Sequence, residues 1–205
     1  MERKEAIGRL KELEGLDLIK YADRYSVTVW KADKLNKGWA GHVIERYLGL
    51  PLNSAQSPNF GSWELKIVPL KRLRTGVIVV KETMAITMID PVNVLQKEFE
   101  ESHLLTKLKK IVVCARMFES KEEKSSLLVK VSTFDLDNPT VYQQVKNDYN
   151  DVKKTIEQKG FHALTGKMGV LVQPRTKGMG HGSTSRAFYA RKMFVSHILG
   201  ISEWQ

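Results

Sequence analysis

Glu64 and Lys66 lie two residues apart in Trp63-Glu64-Leu65-Lys66-Ile67-Val68, a stretch whose bulky and β-branched residues predict a strand. Side chains alternate across a strand, so the carboxylate and the ammonium leave the same face while Leu65 leaves the other. Such a pair suits metal-assisted cleavage of a phosphodiester. The reaction needs a metal-bound water, neutralisation of charge on the pentacovalent phosphorus and help for the leaving oxygen. Mg²⁺ takes hard oxygen ligands, and Glu64 with the Leu65 carbonyl would supply two of them. Lys66 would orient the water or stabilise the developing charge. The segment before the pair, Ser57-Pro58-Asn59-Phe60-Gly61, reads as a turn. A second carboxylate five residues before Glu64 would complete the metal site, and that position is Asn59. A plain ion pair at a sheet edge accounts for Glu64 and Lys66 but leaves the turn unexplained.

Glu45 is the next acidic candidate. A helix is predicted over about 36–48, with Ala40, Val43, Ile44, Tyr47 and Leu48 on one apolar face and Gly49 placed to end it. Gly41 and Gly49 flank Glu45 at i−4 and i+4, which leaves its face open to a phosphate or a metal. Its alternative is an ordinary solvated helix glutamate.

The elements that must hold these residues follow from periodicity and turn residues. A helix is predicted over 3–24 and a second long one over 141–158, the latter after the Asp137-Asn138-Pro139-Thr140 cap signal. Strands are predicted over 63–68, 76–81, 84–89, 110–117, 127–133 and 168–173. A basic glycine-bearing loop is expected over 174–185, and residues 186–199 read as partly helical. Helices before, between and after the strands imply an α/β fold with a mixed central sheet flanked by helices, in one domain spanning 1–205.

Composition narrows the partners. The 205 residues carry a formal charge of +10, with a pI near 9.6, which favours a polyanionic partner. Residues 151–205 hold nine lysines and arginines against three acids, so the basic loop is the natural footprint. The single Cys114 sits in an apolar run and reads as core, and the scattered histidines lack the spacing of a zinc site. The amino-terminal residues lack the apolar region of a signal peptide and no run is long enough to span a membrane, so a cytoplasmic protein without membrane contact is expected.

Taken in order, Lys37-Gly38-Trp39, Gly41-x-x-x-Glu45, Leu48-Gly49, Pro58-Asn59-Phe60 and Glu64-Leu65-Lys66 resemble the MutH-type mismatch-repair nickases and the related GATC-cutting type II restriction endonucleases, members of the PD-(D/E)XK nuclease superfamily. The resemblance continues through Glu101-Ser102-His103 with Lys107-Leu108-Lys109, Thr176-Lys177-Gly178 and Arg186-Ala187-Phe188-Tyr189, so it covers about 36–200.

It implies a restriction-endonuclease-like fold with a catalytic part over about 36–118 and a DNA-recognition part over about 168–200. It implies Glu45, Glu64, Lys66 and Lys107 as catalytic residues, with Asn59 at the position of a family aspartate. The metal, Mg²⁺, would be held by Asn59, Glu64 and Leu65. Lys37 would touch phosphate, and Gln173, Arg175, Lys177, Arg186 and Tyr189 would meet double-stranded DNA. Arginine or lysine can donate to guanine and glutamine suits adenine, so these residue types fit a target containing G and A. Tyr189 matches a tyrosine associated with adenine methylation. A second protomer on the DNA or a mismatch-repair protein would be a further partner.

Asn59 departs from the family pattern, since a neutral amide oxygen is a weaker ligand than a carboxylate. An Asp-to-Asn change made to trap uncleaved complex, a natural relative that only binds, and rescue by another carboxylate such as Asp90 remain three readings of it. The expected function is therefore a sequence-specific Mg²⁺-dependent DNA endonuclease, impaired at Asn59; the alternative is a catalytically inactive DNA-binding module of the same fold. A basic RNA-binding protein would account for the charge alone, without a stacking or clamp motif.

Overall fold

The computed structural model describes residues 1–49, 61–178 and 184–201. Its centre is a four-stranded mixed sheet made of β3 (Glu64–Arg72), β4 (Ile78–Val80), β6 (Lys110–Met117) and β7 (Leu128–Asp135), in the order β4-β3-β6-β7. β3 and β6 are parallel, with Glu64 opposite Ile111, whereas β4 and β7 run antiparallel to their neighbours.

Each face of this sheet buries its own core. Leu65, Val112, Cys114, Leu128 and Val131 pack under α1 (Arg3–Lys11), α2 (Leu18–Arg24) and α3 (Trp39–Tyr47). Val68, Leu70, Ile111, Val113 and Ala115 pack under the second layer. That layer holds α4 (Pro91–Gln96), α5 (His103–Leu108), α6 (Pro139–Lys159) and α7 (Lys192–Ile198). It also holds a three-stranded antiparallel sheet, ordered β5-β9-β8, from β5 (Met84–Met88), β8 (Val172–Thr176) and β9 (Arg186–Ala190). A small hairpin, β1 (Trp30–Lys31) with β2 (Lys34–Leu35), precedes α3. The α/β fold with a mixed sheet between helices matches the expectation.

Several boundaries differ. The helix expected over 3–24 is two helices, because Gly15 takes a left-handed φ of +84° and Asp17 caps α2 by accepting from the Ile19 amide at 3.0 Å. The strand read as ending at Val68 continues through Pro69 to Arg72. Proline is tolerated there because its missing N–H faces the β4 edge, where the Pro69 carbonyl accepts from Lys81 at 3.0 Å. The strand read over 168–173 begins only at Val172, and the basic stretch after it is strand as far as Thr176. β9 occupies the start of the segment read as partly helical, and α7 the remainder. Among the described residues no helix is long and apolar enough to cross a membrane.

Candidate active site

Glu64 opens β3 on the face that carries Val68 and Leu70 further along, so it points into the layer of α5 and β5. Lys66 follows on the same face. α5 leads directly into β6, and because β6 lies parallel to β3 with Ile111 beside Glu64, the end of α5 arrives at the start of β3. Ser102 caps α5, accepting from the Leu105 amide at 3.1 Å, and Leu104 and Leu108 bury its apolar side. Lys107 is thereby turned inward, 6% exposed.

The three charges meet. Lys66 Nζ lies 2.8 Å from Glu64 Oε1 and Lys107 Nζ donates to Oε2 at 3.0 Å. Glu64 is 3% exposed, so the group is sheltered from water and its ion pairs are weakly screened. One carboxylate against two ammonium groups leaves the cluster electropositive, as a phosphate site requires. Burial holds the Lys66 ammonium below its usual range; the Glu64 carboxylate opposes that shift, and the nearby charges of Lys107 and Lys177 add to it. Lys177, just past the end of β8, is thus within electrostatic reach of Lys66, in the cluster with Glu64 and Lys107.

A β-bulge joins the two sheets at this point. The β5–β9 register slips between Ala85 and Thr87, and the carbonyl of the intervening Ile86 accepts from Lys66 Nζ at 3.2 Å. Sequence reasoning missed this contact, and no residue type signals it.

The Leu65 carbonyl points to the β4 side of β3. Along β3 the Leu70 carbonyl accepts from Phe118, on the β6 side, and the Pro69 carbonyl accepts from Lys81, on the β4 side. Alternation over the unbroken ladder directs the Leu65 carbonyl to the β4 side. β4 pairs only with Leu70–Arg72, so among the described residues that carbonyl faces a strand edge without a partner strand.

Glu45 belongs to the opposite layer. α3 runs antiparallel to β3: the Arg116 guanidinium, beside Pro69 in the register, lies 5.0 Å over the Trp39 ring, and a Cβ on Gly41 would sit 3.9 Å from Ile67 Cδ1. One turn further, Glu45 is level with Leu65, because four helical residues and two strand residues each advance roughly 6 Å. The half-buried Glu45 therefore lies on the Leu65 side of β3, the face opposite the Glu64 side chain. Lys37 is exposed just before Gly38, the residue that precedes α3. Asn59 lies outside the described residues. Asp90, a candidate to replace the missing carboxylate, caps α4 by accepting from the Val92 and Asn93 amides at 3.0 and 3.4 Å.

Gln173, Arg175 and Tyr189 share one face of the small sheet, since Gln173 pairs with Tyr189 and Arg175 with Ala187. The Arg175 guanidinium lies 5.7 Å from the centre of the Tyr189 ring and donates to Thr83 Oγ1 at 2.9 Å. Burial raises the Tyr189 hydroxyl above its usual pKa; Arg175 opposes the shift and Glu82 adds to it. Arg186 leaves the other face and donates to the carbonyls of Thr184 and Ser185, at 3.2 and 3.4 Å.

The donor set fits a hard divalent cation in part. Each Glu64 oxygen already accepts from a lysine, yet a carboxylate has lone pairs for a cation as well, and the Leu65 carbonyl is a hard oxygen donor. Among the described residues no group of three or more His, Cys, Asp or Glu side chains could hold a metal.

A mixed sheet that opens on a Glu-x-Lys strand, joined by a lysine from the following helix, is the frame of a restriction-endonuclease-like protein. Comparison with known proteins agrees. The family described as DNA mismatch repair enzyme MutH matches residues 48–148. The DNA mismatch repair protein MutH of Vibrio cholerae serotype O1 (strain ATCC 39541) is 25% identical over 213 residues, covering 96% of this chain and 95% of that protein. The type II restriction enzyme Sau3AI of Staphylococcus aureus is 24% identical over 212 residues, covering 96% of this chain but 40% of its own length. A solved complex of restriction endonuclease MvaI with cognate DNA aligns over 97% of both chains at 12% identity and a TM-score of 0.39, too loose an overlap to add weight. Over nearly its whole length the chain is thus similar to the DNA mismatch repair protein MutH and to the type II restriction enzyme Sau3AI.

Proposed function

We propose that this protein is a sequence-specific endonuclease that hydrolyses phosphodiester bonds of double-stranded DNA with Mg²⁺, at GATC sites and with sensitivity to adenine methylation. The observation that carries the reading is the buried contact of Glu64 with Lys66 and Lys107, three side chains from two elements at one end of the sheet. MutH proteins and Sau3AI, among its relatives, are named as mismatch-repair and restriction enzymes.

Glu64, the Leu65 carbonyl and the residue at 59 would hold the cation, with Glu45 as a further catalytic carboxylate. When bound, Mg²⁺ supplies charge neutralisation at the phosphate and a water of lowered pKa. Lys66, anchored by the Ile86 carbonyl, would orient the attacking water, and Lys107 would offset the charge that grows on the phosphoryl oxygens. Gln173, Arg175 and Tyr189 read base edges in the major groove, while Lys37, Lys177 and Arg186 hold the backbone. The catalytic part then spans about 36–118 and the recognition part about 168–200 of a single domain.

A binding-only protein of the same fold is the second reading. The asparagine at 59 favours it, as does the engagement of both Glu64 oxygens by lysines. Incubating unmethylated, hemimethylated and fully methylated GATC plasmids with Mg²⁺ separates the two. The Asn59→Asp variant is expected to cut and the parent to cut weakly or not at all. A folded, DNA-bound Asn59→Asp protein that leaves every plasmid intact with Mg²⁺ or Mn²⁺ would end the nuclease reading. Sedimentation of the complex on a single-site duplex reports whether a second protomer joins.

A further inference from the structure

Asp148 is a buried carboxylate, 2% exposed, on the inward face of α6 and far along the chain from Glu64. It accepts three consecutive backbone amides: Val170 on Oδ1 at 2.8 Å, and Leu171 and Val172 on Oδ2, both at 2.7 Å. Gln144 Nε2 adds a fourth bond, to Oδ1 at 2.9 Å. Charge-assisted bonds to main-chain donors are among the stronger ones, and here they are shielded from water.

The carbonyls of the same segment are gripped from the other side. Arg191 donates to the carbonyls of Gly166, Met168 and Gly169 at 3.1, 2.9 and 3.1 Å, and its own amide donates to Leu171 at 2.8 Å. Gly169 takes a φ of +72°, and a Cβ there would lie 1.8 Å from the Val172 carbonyl oxygen, so the turn tolerates no side chain. This clamp explains why β8 starts at Val172: Asp148 takes the preceding amides out of the strand ladder.

The clamped turn ends one residue before Gln173. It also folds over the recognition side chains, since a Cβ on Gly166 would lie 3.5 Å from Arg175 Cγ and 3.8 Å from Gln173 Oε1. Any shift of the turn passes directly into those two side chains. Base readout needs two hydrogen bonds in fixed geometry per base, so it tolerates such a shift poorly, whereas attraction to phosphates does not depend on it.

We infer that Asp148, with Arg191, is the positioning residue for base recognition: it fixes the start of β8 so that Gln173 and Arg175 meet the base edges in register. The inference rests on the proposed reading of β8 as the DNA-recognition strand.

The test measures binding by fluorescence anisotropy in metal-free buffer, with the duplex that the parent protein selects from a randomised pool and with a one-base variant of it. Asp148→Asn keeps shape and helix but replaces one acceptor oxygen with an amide NH2, which donates instead of accepting. It is expected to lower the ratio of the two affinities by about 10-fold, with affinity for a scrambled duplex changed by less than about 2-fold. Val152→Ala loosens the packing of the same helix and leaves the clamp intact, so the parent ratio is expected. If Asp148→Asn does not fold, Arg191→Lys provides the comparison. An unchanged ratio in the clamp variant, or an equal loss in Val152→Ala, overturns the inference while leaving the nuclease reading in place. A parent that enriches no sequence from the pool overturns both.

Discussion

Lys107 Nζ and Glu64 Oε2 stand 3.0 Å apart although 43 residues separate them in the chain. The contact exists because β3 and β6 are parallel neighbours and α5 delivers Lys107 to the end at which β3 begins. Parallel pairing requires a long crossover, and here the crossover includes β4, β5 and α4.

Lys107→Met removes the ammonium but keeps most of the stem. In the Asn59→Asp background the expected result is a loss of about 10²–10³-fold in the single-turnover cleavage rate, as for removal of one preorganised charge donor. Lys66 still accompanies Glu64, so the thermal midpoint should remain within a few degrees of the parent. A rate within about 3-fold of the parent would show that Lys107 serves the fold alone.

Charge and base contacts should separate in salt titrations. Lys37→Ala is expected to weaken binding to all duplexes alike and to reduce the slope of log K against log salt by about 1, the signature of one lost phosphate contact. Arg175→Ala should instead lower discrimination between the selected duplex and its one-base variants by about 1–3 kcal/mol at the affected position. Uniform weakening by Arg175→Ala would reassign it to the backbone.

Asp17 predicts the acid limb of stability. Burial pushes its carboxyl up, but hydrogen bonds from the Ser126 and Ile19 amides and from the Ser125 side chain, with the Lys20 charge, outweigh that and hold it below its usual 3.8. A depressed folded value means that Asp17 contributes fully above the unfolded value and loses its contribution as pH falls through the folded one. Asp17→Ala should therefore cost about 1 kcal/mol near pH 7, as loss of a helix cap does. The difference from the parent should shrink below pH 3.8 in urea melts; a constant gap would contradict the assignment.

Cys114 is fully buried in the helix-side core, and burial pushes its thiol up to about 12. The thiolate is the reactive form, so native protein should not react with a maleimide over hours at pH 8 and should label promptly in denaturant. Fast labelling of the native state would mean that the core opens locally.

Residue types and local spacing determined much of this protein. The strand carrying Glu64 and Lys66, the helix carrying Glu45 with Gly49 ending it, β6 over Lys110–Met117 and the long helix after Asn138 are written in short-range periodicity and caps, which a linear sequence displays directly. The Glu-x-Lys spacing likewise places both groups on one face wherever the strand lies. Tertiary structure alone decided that α3 covers the Leu65 face while Glu64 looks into the other layer, so that Glu45 and Glu64 start from opposite faces of β3. It alone turned the Ile86 carbonyl toward Lys66 and folded Asp148 onto the amides ahead of β8. Those relationships join residues through strand order and layer packing, and strand order is set by long-range burial that no local pattern encodes.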